Sequence, residues 1–457
     1  MRTKCSAARA LLLFIPALLN GATLRIGVGK QVITPNLKVH SPVYIAGYGN
    51  NRVATGIHDD LYARCMAFDS GARPLVICGA DVIGIFWDDV QKIRSKVPQA
   101  DLVIAALHDH EGPDTMGMWG PTQEKTGTNE SYMEMLVERI AASAQNALRT
   151  MRPARIRLVS LHTPELDTFI RDSRPPDVHD STVLALEALD QSGQPIGTLL
   201  NWANHPEALG SKNTLITADY PAGIYRRLEE LLGGTAVFLN GAVGGMQSPG
   251  GAEIVDRKTG RVFHGETFER AGYIGQRVAE LAAEALNKAP GTALDAFLFR
   301  ERIAMIPMTN PGFQAALRMG VFAGRKQPSP EGNARAPVGY ICFSQAGQAR
   351  LEVALIPGEL YPELSVGGIE RYPGADFPEA PIERPIKDMM SAPHRMLFGL
   401  ADDENGYIIP KAEWDSKKPW LQNANSQWYG EVNSLGPDAA PIIVRTFQEL
   451  VASTSLK

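Results

Sequence analysis

The stretch Leu102-Val103-Ile104-Ala105-Ala106-Leu107-His108-Asp109-His110-Glu111-Gly112-Pro113 decides how the chain is read. Its apolar half reads as a buried strand, which stops at a His-x-His pair followed by a Gly-Pro turn. Residues two apart along a strand project to one side, so this spacing sends His108 and His110 the same way. Two neutral imidazoles side by side make half of a transition-metal site, and zinc suits such ligands. The plain alternative is a solvated loop with two unrelated histidines. A chain with only nine histidines has little reason to pair two of them this way by accident.

Two more apolar runs end in the same fashion. Residues 196–202 lead into Ala203-Asn204-His205-Pro206, where the proline forces the chain out of the strand. Residues 351–356 end at Pro357-Gly358-Glu359 and deliver a carboxylate. His, His and Glu at three strand ends match the ligand sets of catalytic zinc, which keep one position open for water. A fourth strand, 236–239, precedes the glycine-rich turn 240–251. Such a turn can aim backbone N–H groups at an oxyanion, or serve only as a structural loop. It has neither the Lys-Ser/Thr ending of a phosphate loop nor the glycine spacing of a dinucleotide fingerprint.

Around these endings the pattern predicts further strands at 24–29, 155–158, 183–189, 294–306 and 338–343, with 24–29 at a sheet edge. Helices are expected at 86–97, 132–148, 218–232, 266–286 and 440–451. Strands alternate with helices and several pair as hairpins. The expected fold is therefore α/β, with a mixed parallel/antiparallel sheet core flanked by helices in a single large catalytic domain. The Pro/Gly-rich stretches 327–337 and 372–385 read as surface excursions.

Composition narrows the function classes. The chain has 457 residues, 44% hydrophobic and 21% charged, as expected of a globular enzyme with a sizeable core. A formal net charge of −5 offers no basic surface for a nucleic acid. Residues 1–22 read as a secretory signal peptide: Arg2, Lys4 and Arg9, an apolar run 10–19, then Gly21-Ala22. The run is short for a bilayer span, so the expected location is secreted or periplasmic, with 23–457 as the mature domain. Of four cysteines, Cys5 falls in the leader. Cys65 and Cys78 face each other across a hairpin, which an oxidising compartment can link; the reading leans to two buried free thiols. Cys342 is expected unpaired in the core.

Taken together, these residues resemble the neutral/alkaline, non-lysosomal ceramidases. The family's Gly-Val-Gly-x-x-x-Ile-Thr-Pro opening is matched by residues 27–35, and its Gly-Tyr and Leu-x-Ala-Arg segments by Gly47-Tyr48 and Leu61-Tyr62-Ala63-Arg64. His-x-His-x-Gly-Pro is matched at 108–113, His-Pro at His205-Pro206, Pro-Gly-Glu at 357–359, and the Asn-containing Tyr region at Asn405-Gly406-Tyr407. The order holds from residue 25 to about 450. The family's carboxy-terminal immunoglobulin-like domain has no counterpart.

The resemblance implies a zinc ion held by His108, His205, Glu359 and Tyr407, with His110 beside it handling protons. It also implies an active-site arginine at Arg174, with Arg171 as competitor, and an oxyanion donor at Tyr429. The family's loop reads Gly-Asp-Val-Ser-Pro where this chain reads Gly241-Ala242-Val243-Gly244-Gly245, so Gly244 stands at the family's essential serine. Ser248 would supply that serine only after an insertion. The activity implied is hydrolysis of an amide in an N-acyl sphingoid or related N-acyl substrate by metal-activated water. Peripheral membrane contact would accompany a lipid substrate. The alternatives are zinc hydrolysis of a sugar- or peptide-derived amide or ester, and a non-catalytic exported binding protein.

Overall fold

The structure, a computed structural model, describes residues 24–250 and 253–454; the leader 1–22 lies outside the described residues. The largest sheet runs Thr235–Asn240, Pro195–Trp202, Val183–Asp190, Arg152–Leu161, Arg25–Val32, Tyr62–Asp69, Leu75–Ala80 and Asp101–Ala106, with Gly291–Thr292 beside Arg152–Leu161. Its outermost pair at either end is parallel and the inner pairs are antiparallel, the mixed sheet that the alternation of elements predicts.

The strand expected at an edge lies in the middle. Arg25–Val32 pairs with Tyr62–Asp69 along its full length and with Arg152–Leu161 at Arg25 and Ile26. Glycines in a strand read as weakness, but here they admit a helix. A Cβ at Gly29 would lie 1.9 Å from Ser143 O, and one at Gly27 would lie 2.2 Å from Ala147 O. Helix Glu130–Arg149 therefore packs directly on this strand. It is capped by Asn129 and buries Tyr132, Leu136, Ile140 and Ala144 along one face.

The narrow join at Arg25 and Ile26 divides the sheet into halves that share a core. Met66 and Ile77 of one half meet Leu186, Leu199 and Val237 of the other. Helices Tyr220–Leu232 and Phe268–Lys288 cover one outer face, and Trp87–Lys96 joins Glu130–Arg149 on the other. A second sheet, in the order Ala296–Pro307, Asn333–Gln345, Gln348–Leu355 and His394–Phe398, packs its inner face into the shared core. Helix Ala439–Ser453 lies against its opposite face.

Two further expectations are corrected. Cys65 and Cys78 are exact register partners, Cα–Cα 4.0 Å, and form a disulfide rather than free thiols. Residues 333–337 belong to a strand rather than to an excursion. Pro337 is accommodated because pairing with Gln348–Leu355 begins only at Gly339. Cys342 is buried and free, as expected. No helix among the described residues is long and apolar enough to cross a membrane.

Candidate metal centre

Four turns meet beyond the strand ends, and the buried Asn240 side chain ties three of them together. Its Nδ2 donates to Leu107 O and to Asn204 O, both at 2.9 Å. Its Oδ1 accepts from Asn204 N at 3.0 Å and from Gly241 N at 3.2 Å. The fourth turn joins through Gly399 N, which donates to Asn240 O at 3.2 Å, and Asp402 N, which donates to Ile104 O at 2.7 Å.

His108 and His110 do converge, though not by strand alternation. The strand ends at Ala106, and His108 itself takes a left-handed φ of +62°. That conformation is costly for a residue other than glycine and recurs at functional sites. His108 Nδ1 lies 2.9 Å from Ile83 O, and His205 Nδ1 lies 2.8 Å from Gln247 O. A carbonyl only accepts, so each Nδ1 carries a proton, and a neutral ring would then present the lone pair of its Nε2. Backbone anchors of this kind orient metal-bound histidines.

Both Nε2 atoms face one carboxylate. Glu359 Oε2 lies 3.3 Å from His108 Nε2 and 3.1 Å from His205 Nε2. With zinc–ligand bonds of about 2.0–2.1 Å, donors around a tetrahedral ion sit about 3.4 Å apart. Both imidazole–carboxylate separations are already close to that spacing. Ligand atoms of His108, His110 and His205 also lie within 4.8 Å of one another, and all three rings are buried. These residues fit a zinc-like divalent ion. The two imidazoles hold the Glu359 carboxyl well below its usual range despite its burial. For His205, burial opposes the charged form, but Glu359 and Glu207 outweigh it and leave the pKa raised.

Tyr407 pairs with Glu359 in the short parallel ladder Glu359–Leu360 and Tyr407–Ile408. Its phenol is buried, and burial together with the Glu359 charge pushes its pKa far up. His110 differs from the other two histidines because neither ring nitrogen has a hydrogen-bond partner among the described residues. Burial, then His108, His205 and Arg52, drive its pKa well down, so the ring is neutral. Glu207 Oε2 stands 3.4 Å from His110 Nδ1, and Tyr48 Oη lies 3.4 Å from that same carboxylate oxygen. A Cβ at Gly47 would fall 2.4 Å from the His110 ring, so the Gly-Tyr segment leaves room for it.

Tyr429 sits at the mouth of the site, 49% exposed, with its ring 5.8 Å from that of Tyr407. Arg174 lies behind the wall. Its Nη1 donates to Glu431 Oε2 at 2.6 Å and to Tyr361 Oη at 3.2 Å, and Tyr361 packs on Tyr407. Its competitor Arg171 is exposed and pairs through its backbone with Ser248. Gly244 also stays off the cavity wall. A Cβ there would lie 2.6 Å from Tyr361 N and 2.7 Å from Leu360 C, so the packing has no room for a serine. Ser248 Oγ accepts from Gly250 N at 2.9 Å and does not line the cavity.

His108 and His110 open onto a cavity walled by Phe86, Met116, Trp119 and Phe322, which shares its mouth with a wider cleft that His205 also lines. Glu404 and Lys326 also line it. Sequence reasoning missed both. The available signal was the acid run Asp402-Asp403-Glu404 just before Tyr407. Charge runs usually mark solvated surface, yet all three residues are 2% exposed.

The fold and site define an α/β protein whose strand-end turns converge on a buried histidine–carboxylate cluster. No protein-family model matches the chain. Among solved structures it is similar to a ceramidase complexed with C2, with a TM-score of 0.70 and 18% identity over 94% of this chain and 75% of that one. It is likewise similar to the neutral ceramidase from Pseudomonas aeruginosa, with a TM-score of 0.69 and 18% identity over 94% and 74%. The chain has a ceramidase-like fold.

Proposed function

We propose that the chain is a metal-dependent hydrolase of N-acyl amides, ceramidase-like in substrate class and exported from the cytoplasm. The observation that carries this reading is the approach of two Nε2 atoms to one Glu359 oxygen, at 3.1 and 3.3 Å, in the wall of an apolar cavity. His108, His205 and Glu359 would hold the ion, with Tyr407 as the fourth ligand. Zinc bound there supplies Lewis acidity to an amide carbonyl and makes a water molecule more acidic.

The chain's own groups do the rest. Neutral His110, with no partner on either ring nitrogen, accepts the water proton and returns it to the leaving amine. Glu207 Oε2, 3.4 Å from Nδ1, favours the imidazolium between those two events. The Tyr429 phenol, half-exposed at the mouth, is raised above its usual value by partial burial and the Glu359 and Glu207 charges, so it stays protonated and can donate to the developing oxyanion. Such a donor contributes about 3 kcal/mol. Gly244 and Ser248 provide no nucleophile beside the cavity, so water attacks directly. Arg174 acts at one remove, bracing Tyr361 behind Tyr407.

The apolar wall suits the acyl arm of a lipid-like substrate, in keeping with the ceramidase complexed with C2. Export is supported by the Cys65–Cys78 disulfide together with the leader pattern of residues 1–22. A sugar- or peptide-derived amide or ester is the second reading, favoured by Glu404 and Lys326 in the same cavity.

Metal analysis and turnover of N-acyl substrates by the wild type and His108→Ala test the proposal. The expectation is stoichiometric zinc and chelator-sensitive turnover, both lost in the variant. Undiminished turnover by His108→Ala would refute it, and zinc without turnover on a broad panel would favour a binding protein.

A further inference from the structure

Glu404 is 2% exposed and lines the cavity together with His108, Glu359 and Tyr407. Its Oε1 accepts from Gly406 N at 2.7 Å, whereas Oε2 is buried with no hydrogen-bond partner among the described residues. The nearest cation does not answer it. Lys326 Nζ bonds to the main-chain oxygen of Glu404 at 2.8 Å, to Asn405 Oδ1 at 2.9 Å and to Asp403 at 3.2 and 3.3 Å, which engages its ammonium hydrogens elsewhere.

Phe86, Met116 and Phe322 line the same cavity. An unanswered carboxyl oxygen in such surroundings is costly, and structures keep one only where something else satisfies it. The bond to Gly406 uses one oxygen, which a glutamine would also supply. A wall that received only an alkyl chain would be better served by leucine.

Resting on the reading of this cavity as an N-acyl site, we propose that Glu404 is a specificity-determining residue that recognises a hydroxyl group next to the scissile amide. A hydroxyl both donates and accepts, so it satisfies the carboxyl in either protonation state. A carbonyl only accepts, and an ammonium only donates and would bring a charge into an apolar wall.

Three probes test this on the full-length, zinc-loaded protein: N-ethyloctanamide, N-(2-hydroxyethyl)octanamide and N-ethyl-2-hydroxyoctanamide. Binding is read by stopped-flow tryptophan fluorescence, because Trp119 lines the cavity, and turnover is followed in the same mixtures. One hydroxylated probe is expected to bind the wild type about tenfold tighter than N-ethyloctanamide. E404L abolishes or inverts that ratio, and E404Q, which can still bond a hydroxyl, retains part of it.

A wild-type ratio near one for both hydroxylated probes, a ratio that survives in E404L, or no binding of any probe would overturn the proposal. If E404L does not fold, the wild-type ratio and its reduction in E404Q decide. Hydroxyl preference without turnover would remove the hydrolase reading and leave this one; turnover without preference would do the reverse.

Discussion

Asn240→Leu should be among the most damaging single changes to this site, although Asn240 touches no proposed ligand. The replacement keeps the branched shape and removes every side-chain hydrogen bond. It leaves Leu107 O, Asn204 N and Gly241 N unanswered in a buried setting, while Asn204 O keeps the bond from the Tyr220 hydroxyl. At about 1 kcal/mol for each group, the expected loss is about 3 kcal/mol. Asn240→Asp keeps the two accepted bonds and leaves only Leu107 O unanswered, so about a third of that loss remains, plus the cost of burying a charge. The same bonds hold the residues immediately before His108 and His205, so they set the separation of the two imidazoles. Zinc affinity should therefore fall roughly 10- to 100-fold, the usual effect of losing an outer-shell support. Urea unfolding of the metal-free protein measures the first quantity, and chelator competition measures the second. A stability loss below about 1 kcal/mol with unchanged zinc affinity would show that other contacts hold the turns.

Other expectations follow from single residues. Burial, then the charge of Glu413, pushes the Glu363 carboxyl up from 4.5 to about 9. The folded protein keeps a proton that the unfolded chain releases, so this contribution is full below pH 4.5 and drains away as pH rises toward 9. Glu363→Gln should flatten the decline of Tm with pH across that window, and an unchanged slope would contradict the assignment. Replacing Cys65 and Cys78 together by alanine opens a cross-link of sequence separation 13, at a cost of about 3 kcal/mol in urea unfolding; an unaltered midpoint would count against a disulfide in the isolated protein. At the left-handed φ of His108, glycine is easier than alanine, so His108→Gly should be more stable than His108→Ala by about 1 kcal/mol with zinc absent from both. The opposite order would show that the turn relaxes.

Much of the site was legible because it sits where apolar runs stop. A strand end, a breaker and a candidate ligand adjoin one another at His205-Pro206 and at Pro357-Gly358-Glu359, and the structure delivers both side chains to one place. The histidine pair was read correctly for an incorrect reason, since the turn at His108, not strand alternation, aligns the rings. Gly27 and Gly29 misled because a local pattern cannot distinguish a weak edge from a surface cleared for a helix. Helix Pro311–Met319 escaped notice because none of its residues is fully buried. Glu404 was hidden by composition: an acid run looks solvated unless one knows which turns fold over it. The disulfide required register, which the hairpin supplied, and oxidation, which no residue pattern encodes.

The same contrast bears on how a ceramidase-like fold can carry this cluster at 18% identity. Both proposed histidine ligands are oriented by main-chain carbonyls, Ile83 O and Gln247 O, and His205 is held twice because its own N also donates to Gln247 O at 2.9 Å. A carbonyl's position depends on the path of the backbone, not on which side chain it bears, so substitutions that preserve the path preserve the tautomer and aim of each ring. A serine nucleophile has no such protection, because its function resides in one side chain at one position. At Gly244 the backbone of residues 360–361 occupies the space such a side chain would need. The imidazole–carboxylate geometry therefore depends on the path of the backbone, and under the proposed function the chemistry would fall to water, His110 and the phenol of Tyr429.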